Sequence, residues 1–330
     1  VGVEITTTVM DETTPYTAGH SNAFPVAHLE HEYRDGAPAA EGRRLRTILA
    51  GVQNENPSAL VQLNHPRPSS GVTDEPKDMS LFTHLSVGEE GFDPTLPLAA
   101  TRNAPLAQAD PETGLRDLDF DAIELLNGPS MAYYRVTRAD WFSLMLQGEV
   151  RTATANSDSH RLGEVVGLPR TYVQTSAPPL AEFNEAQFIA ALRAGRAFGS
   201  TGPLLKVSLG GKHLGETFAG KEATLRVGVA AAPWVPVSSV RVYVNGEQVF
   251  AQTIGSGQEK EFPIRFQQDS FVTVEVEGKP EGIYAEILPG FTPFAFSNPI
   301  FVDADSDGAW NEPGLVDPPP LTLRDPLQAR

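Results

Sequence analysis

The residues best suited to chemistry in this chain are Glu4, His20, His65, Asp158 and His160. Carboxylates combined with neutral imidazoles suit zinc, manganese or iron(II). An ion held by such groups can lower the pKa of bound water enough to give hydroxide near neutral pH. Their placement relative to apolar runs singles them out. Glu4 lies inside the run at 2–7, His65 stands two residues after the run at 59–63, and Asp158 and His160 come just beyond the run at 152–155. His20 belongs to Gly19-His20-Ser21-Asn22-Ala23-Phe24-Pro25, shortly after the Glu4 run. Each also has a plainer reading: a strand Glu can pair with a cation, a His before Pro can open a turn, and Asp-x-His can cap a helix. His28, His31, His84 and His213 lack the strand-end placement and read as surface or structural.

The elements that must position these groups change character along the chain. Up to about residue 200, short apolar runs at 2–7, 59–63, 122–126 and 152–155 alternate with helical patterns at 41–53, 137–147 and 182–194. In the last of these, Phe183, Ala186, Phe188, Ile189 and Leu192 form a rough 3.6-residue stripe, and Gly195 stands where a helix would stop. Strands separated by helices predict a parallel sheet, open or closed into a barrel, whose strand ends converge on one face. After a boundary near Gly202-Pro203 the chain is strand-like with turn punctuation. Val240, Val242 and Val244 alternate with polar or aromatic residues, as do Val272, Val274 and Val276, and Asn245-Gly246 is a favoured hairpin pair. These runs predict an immunoglobulin-like β-sandwich. The expected organisation is therefore a catalytic domain over 1–203, a sandwich over 204–315 and a tail over 316–330. The aperiodic segment 71–119 reads as a pocket rim, with Phe82, Phe92 and Leu96 placed either to cover the pocket or to form a small cluster of their own.

Composition narrows the possible functions. The 330 residues carry 25 basic and 42 acidic side chains, for a net charge of −17, so no nucleic-acid partner is expected. No apolar run approaches the roughly 18–20 residues that cross a bilayer. Cysteine is absent, which excludes disulfides, thiolate metal sites and cysteine nucleophiles. The chain opens at Val1 directly in a strand-like run, and we expect a piece of a longer protein.

The ordered motifs 2–7 (with Glu4), 19–25, Asn64-His65-Pro66, Asp121-Ala122-Ile123-Glu124-Leu125-Leu126-Asn127-Gly128 and Asn156-Ser157-Asp158-Ser159-His160 resemble the PHP (polymerase and histidinol phosphatase) domain. Within it they are most similar to the branch of metallohydrolases that includes carbaryl hydrolase, and 195–203 fits the end of that domain. The resemblance implies an α/β fold, a distorted (β/α) PHP-type barrel lacking its N-terminal part, followed here by the sandwich. It also implies two or three divalent metals (zinc, manganese or iron). Glu4 would be a bridging carboxylate, His20 and His65 the middle histidines, and Asp158 and His160 the final pair. The family's N-terminal His-x-His and Asp-His are not in this sequence.

Arg67, after the His-Pro step, and Arg170, in Gly167-Leu168-Pro169-Arg170-Thr171, are candidates to orient a phosphate or carbonyl oxygen, or to neutralise nearby carboxylates. Glu124 and Asn127 read as structural strand-end residues. A second metal signal is Asp303-Ala304-Asp305-Ser306-Asp307-Gly308, with carboxylates at loop positions one, three and five and Gly at six, as in calcium loops; Gly314 takes the twelfth position, where a bidentate acid is usual. Calcium there would be structural.

The expected function is metal-dependent hydrolysis, with metal-bound hydroxide attacking a small-molecule phosphoester or a carboxylic or carbamic ester. The rival is a non-catalytic binding protein, with a degenerate barrel and a sandwich that recognises a carbohydrate or a protein. The absence of Cys, the calcium-type loop and the sandwich together fit a bacterial periplasmic or extracellular protein.

Overall fold

The structure, a computed structural model, describes residues 3–6, 18–27, 37–40, 42–67, 80–83, 91–175 and 182–328. The chain divides into two compact units, Val1–Glu124 and Leu125–Arg330.

In the first unit β1 (Val3–Thr6), β2 (His20–Phe24) and β3 (Leu60–Asn64) are successive antiparallel neighbours, with Thr6 opposite His20 and His20 opposite Asn64. Between β2 and β3 runs α1 (Leu45–Glu55), which buries Leu45, Ile48, Leu49 and Val52 at helical spacing. Arg44 at its N-cap gives no side-chain cap. Instead the buried Asp117 accepts the backbone N–H of Arg46 at 2.9 Å and pairs with Arg44 at 2.7 Å. After α2 (Ala104–Ala107), β4 (Ala122–Asn127) begins beside β3 in parallel, through Gln62 opposite Ala122 and Leu63 opposite Ile123.

The second unit opens with α3 (Met131–Leu146), capped by Ser130, whose hydroxyl accepts the N–H of Tyr133, and continues with β5 (Thr152–Asn156), next to β4 in the sheet. Then come β6 (Arg170–Val173), α4 (Glu185–Arg193) and β7 (Ala197–Ser200). Helix α4 stops at Gly195, whose φ of +71° favours a residue without a Cβ. The sandwich follows: β8 (Leu204–Leu209), β9 (Thr217–Ala219), β10 (Glu222–Ala230), β11 (Ser239–Val244), β12 (Glu247–Thr253), β13 (Glu259–Arg265), β14 (Ser270–Glu277), α5 (Gly282–Ile287), β15 (Phe294–Ser297), β16 (Ile300–Asp303) and α6 (Leu321–Arg324). One sheet has the order β13-β10-β8; the other runs β12-β11-β14-β15-β7-β6, with β16 also paired to β14 and β9 paired in parallel to β16. Val240, Val242 and Val244 face Val276, Val274 and Val272 across the β11–β14 ladder, and all but Val244 lie fully in the core.

The predicted fold class is corrected here. Among the described residues the protein is mostly β, in three open sheets with short helices, and no (β/α) PHP-type barrel closes. The parallel expectation fails for β1, β2 and β3, which pair antiparallel, whereas β3 and β4 pair in parallel. Farther on, β6 and β7, which the sequence did not suggest as strands, pair antiparallel and β7 joins β15, so residues within the expected first domain complete the sandwich sheet. The boundary expected near Gly202-Pro203 thus falls within the second unit. Strand β14 departs from the half-exposed pattern that its alternation implies. Thr273 and Glu275 are buried as well, because Tyr134 and Arg138 of α3 lie against Glu275. The segment 316–328 is also packed: Leu323 is buried, and the Thr322 hydroxyl donates to the Gly246 carbonyl.

Candidate functional site

Strand pairing explains why His20 and His65 meet. His20 begins β2 opposite Asn64, the last residue of β3, so the next residue, His65, emerges at the same end. The two imidazoles lie 4.6 Å apart between ring centroids, edge to face at 72°. His65 has φ +25°, left-handed backbone that a non-glycine residue seldom adopts. Its N–H donates to Glu124 Oε2 at 2.6 Å, and Glu124 is buried on β4. Strain of this kind persists where surrounding structure over-determines it, often at functional positions. Glu124 is therefore a positioning residue for His65. Sequence inspection passed it over as a strand-end residue, although its place in a strand that pairs beside the His65 strand was the available signal.

Glu4 lies on β1 opposite Asn22, and its side chain is outside the described set. Arg67 is buried; its guanidinium donates to the carbonyls of Phe82 at 3.2 Å and Phe92 at 2.6 Å and lies 5.9 Å from the Phe82 ring. It fastens the long loop, where Phe82 and Phe92 themselves pack at 5.2 Å as a small cluster, while Leu96 is partly exposed. Of the histidines set aside, His28, His31 and His84 lie outside the described residues, and His213 is exposed.

In the second unit, Asp158 and His160 follow β5. Asp158 Oδ1 lies 2.8 Å from His160 Nε2, and Asp158 Oδ2 accepts from Asn127 Nδ2 at 3.0 Å. Asp158 is also left-handed, with φ +47°. Asn127, like Glu124, thus orients a candidate ligand. The following turn is held by Glu164, whose carboxylate accepts the N–H groups of His160 and Arg161 at 2.6 and 3.0 Å. These two N–H groups lower its pKa. Arg170 is exposed at the start of β6.

The acidic loop gains a member from a distant strand connection. Asp269, Asp303 and Asp305 each offer a carboxylate oxygen, all within 4.8 Å of one another, whereas Asp307 is turned to the N–H of Ala309 at 2.9 Å. Among the described residues no other set of three His, Asp or Glu side chains is so close. Asp303 accepts the N–H groups of Asp307 and Gly308, and Asp269 those of Ala304 and Asn311. At Asp305 the Asp307 N–H acts to lower the pKa, but desolvation and the charges of Asp307 and Asp269 outweigh it and raise the pKa. A cleft of about 320 Å³ opens here, lined by Asp269, Asp305, Lys221 and Asn311.

The donor chemistry fits the ions expected. Imidazole nitrogens are donors that zinc and manganese accept, and the carboxylate trio is the hard-oxygen type of set that calcium takes. No helix among the described residues is long and apolar enough to cross a membrane.

No family model and no curated protein matches this sequence. Among solved structures, a DUF3823 family protein from Bacteroides ovatus is similar over 32% of this chain, at 14% identity and a TM-score of 0.22. The chain spans 57% of that protein's length.

Proposed function

We propose that the protein is a divalent-metal-dependent hydrolase acting on a small phosphoester or a carboxylic or carbamic ester. His20 and His65 would be metal ligands in the first unit, and Asp158 and His160 in the second. The observation that carries the reading is the meeting of His20 and His65, with His65 held in left-handed backbone by buried Glu124. Ordered motifs similar to those of the PHP metallohydrolases support the same chemistry, and a barrel forms no part of the proposal. A bound divalent ion would polarise the ester and activate water. The chain's own residues orient the ligands: Glu124 through the His65 backbone, and Asn127 through the Asp158 carboxylate. A second reading, a non-catalytic binding protein, draws support from Asp269, Asp303 and Asp305 being the one three-residue acidic or imidazole cluster among the described residues.

Metal-stripped protein titrated with zinc or manganese, then assayed on aryl phosphates, acetates and carbamates, tests the proposal. The native chain is expected to bind metal and hydrolyse one class, while His20→Ala and His65→Ala lose both. Undiminished metal binding in both variants would reject the reading. Metal binding without turnover on any class would favour the second.

A further inference from the structure

His20 and His65 have polar company at their end of the first sheet. Antiparallel pairing of β2 and β3 puts His20 opposite Asn64 and Asn22 opposite Gln62. Directly opposed residues share a face, with Cβ atoms about 4.5–5.5 Å apart. The four side chains therefore form one block, a histidine and three carboxamides, while the alternate residues Ala23, Val61 and Leu63 turn to the other face and are buried. Gln62 is 5% and Asn64 7% exposed, and Asn22 is half-buried. Gln62 Nε2 donates to Asn64 Oδ1 at 2.8 Å. Beyond that bond none of the three amide groups has a partner among the described residues.

A carboxamide carries one acceptor oxygen and one donor nitrogen. Once Gln62 and Asn64 have bonded to each other, Gln62 Oε1 is left to accept and Asn64 Nδ2 to donate. Turning both amides over exchanges these roles and still leaves one acceptor and one donor. Covering such groups without matching them costs free energy, so whatever lies against the block must offer a donor beside an acceptor. This requirement selects among ligands. A phosphate dianion or a carboxylate only accepts, and would meet the amide oxygen lone pair to lone pair. An ammonium only donates, and an alkyl group does neither. A hydroxyl or a carboxamide does both. Nor does the block hold a cation to meet an anion, since Arg67, two residues beyond His65, is directed at the carbonyls of Phe82 and Phe92.

We infer that Asn22, Gln62 and Asn64 form the subsite that selects the substrate, and that it takes an uncharged flank bearing a hydroxyl or a carboxamide next to the ester bond. The inference rests on the hydrolytic reading of His20 and His65 and narrows its substrate to esters with such a flank. Selectivity comes from the cost of leaving buried amides unmatched, which lets a site reject an analogue that lacks the polar group.

Four acetate esters that share the scissile bond and differ in the flank test it: ethyl, 2-hydroxyethyl, carbamoylmethyl and carboxymethyl. The metal-loaded full chain is expected to show kcat/KM roughly tenfold higher on the hydroxyethyl or the carbamoylmethyl ester than on the other two, and these two arms tell which group is taken. Asn22→Ala and Gln62→Met should bring that ratio near one by raising KM on the preferred ester, at native metal content. Asn22 is half-buried, so its variant decides the matter if Gln62→Met does not fold. Side-chain amide NMR signals report binding without turnover: those of Asn22, Gln62 and Asn64 should shift with the preferred ester and not with the ethyl ester. The same shifts in a chain that turns over no aryl phosphate, acetate or carbamate would reject the hydrolytic reading and support the subsite. Equal or better binding of the ethyl or carboxymethyl ester, a preference that survives in both variants, or amide signals that no ester moves would overturn the inference.

Discussion

Arg138 Nη1 and Glu275 Oε1 lie 2.5 Å apart inside the second unit, although the two residues are 137 positions apart in sequence. The carboxylate also receives Arg241 at 3.2 Å and the hydroxyls of Tyr134 and Tyr243 at 2.8 and 2.9 Å. Arg138 Nε and Nη2 have no hydrogen-bond partner among the described residues. The guanidinium sits instead among the rings of Tyr243, Tyr134 and Phe142, at 5.0, 5.7 and 5.7 Å, whose negative faces offset part of its desolvation.

Removing the Glu275 charge should therefore be costly. Glu275→Gln leaves a buried guanidinium uncompensated, and urea unfolding at neutral pH should show a loss of about 3–5 kcal/mol. The acid limb supplies an independent check. Burial alone would raise the Glu275 pKa, but Arg138 and Arg241 outweigh it and hold the group at about 2. Because the folded value lies below the unfolded one, this stabilisation is complete above the ordinary carboxyl range near 4.3 and is lost as pH falls through the folded value. The native chain should lose stability across that interval and the Gln variant should not. Parallel pH profiles would contradict the network.

Gly246 closes the β11–β12 hairpin with φ +78°, after Asn245 at +50°. A Cβ there would approach Phe142 Cδ2 at 3.3 Å and Leu323 Cδ1 at 3.4 Å. Gly246→Ala should cost about 1–2 kcal/mol, combining backbone strain with crowding. Asn245→Gly should cost about 1–3 kcal/mol for a different reason: glycine accepts the same backbone, but the Phe271 N–H loses Asn245 Oδ1, its acceptor at 2.9 Å. Thermal melts of the two variants check both costs.

Calcium is expected to raise the melting temperature through the acidic loop. Asp305 is exposed, and its carboxylate accepts little beyond the Asp307 N–H at 3.3 Å, so Asp305→Ala should abolish the calcium response while leaving the calcium-free melt nearly unchanged. Asp269→Ala should lower the melt even in chelator, because it frees the N–H groups of Ala304 and Asn311. A calcium-induced rise that survives Asp305→Ala would place the ion elsewhere.

The strands carrying the candidate ligands were legible because each is an apolar run bounded by turn residues, and β3, β4 and β5 start within a residue of their expected places. The Asn245-Gly246 turn and the valine ladder were equally plain, since both depend on local chemistry. Pairing direction was not. Nothing in the runs at 2–7 and 59–63 states whether neighbours lie parallel; the parallel-sheet expectation rested on that choice, and the barrel on the resemblance. Glu275 was misread for a related reason: its alternation with valines is what a solvent-facing strand shows, and only the distant Arg138 makes its burial tolerable. Asp269 escaped notice because it stands 34 positions before the acidic run that it joins.

Asn298 is a substitute strand. Its amide accepts from the N–H of Ala153 at 2.7 Å and donates to the carbonyls of Ala153 and Ala197, each at 2.9 Å, across 145 and 101 residues. The strand holding Ala153 therefore leaves the ribosome long before the side chain that completes it. At about 5–20 residues per second, the delay is roughly 7–30 s. During synthesis these Ala153 groups stay paired to water until Asn298 is made, so the second unit completes its hydrogen bonding only once its last strands are made, and slowing translation between them would lengthen the interval before it closes.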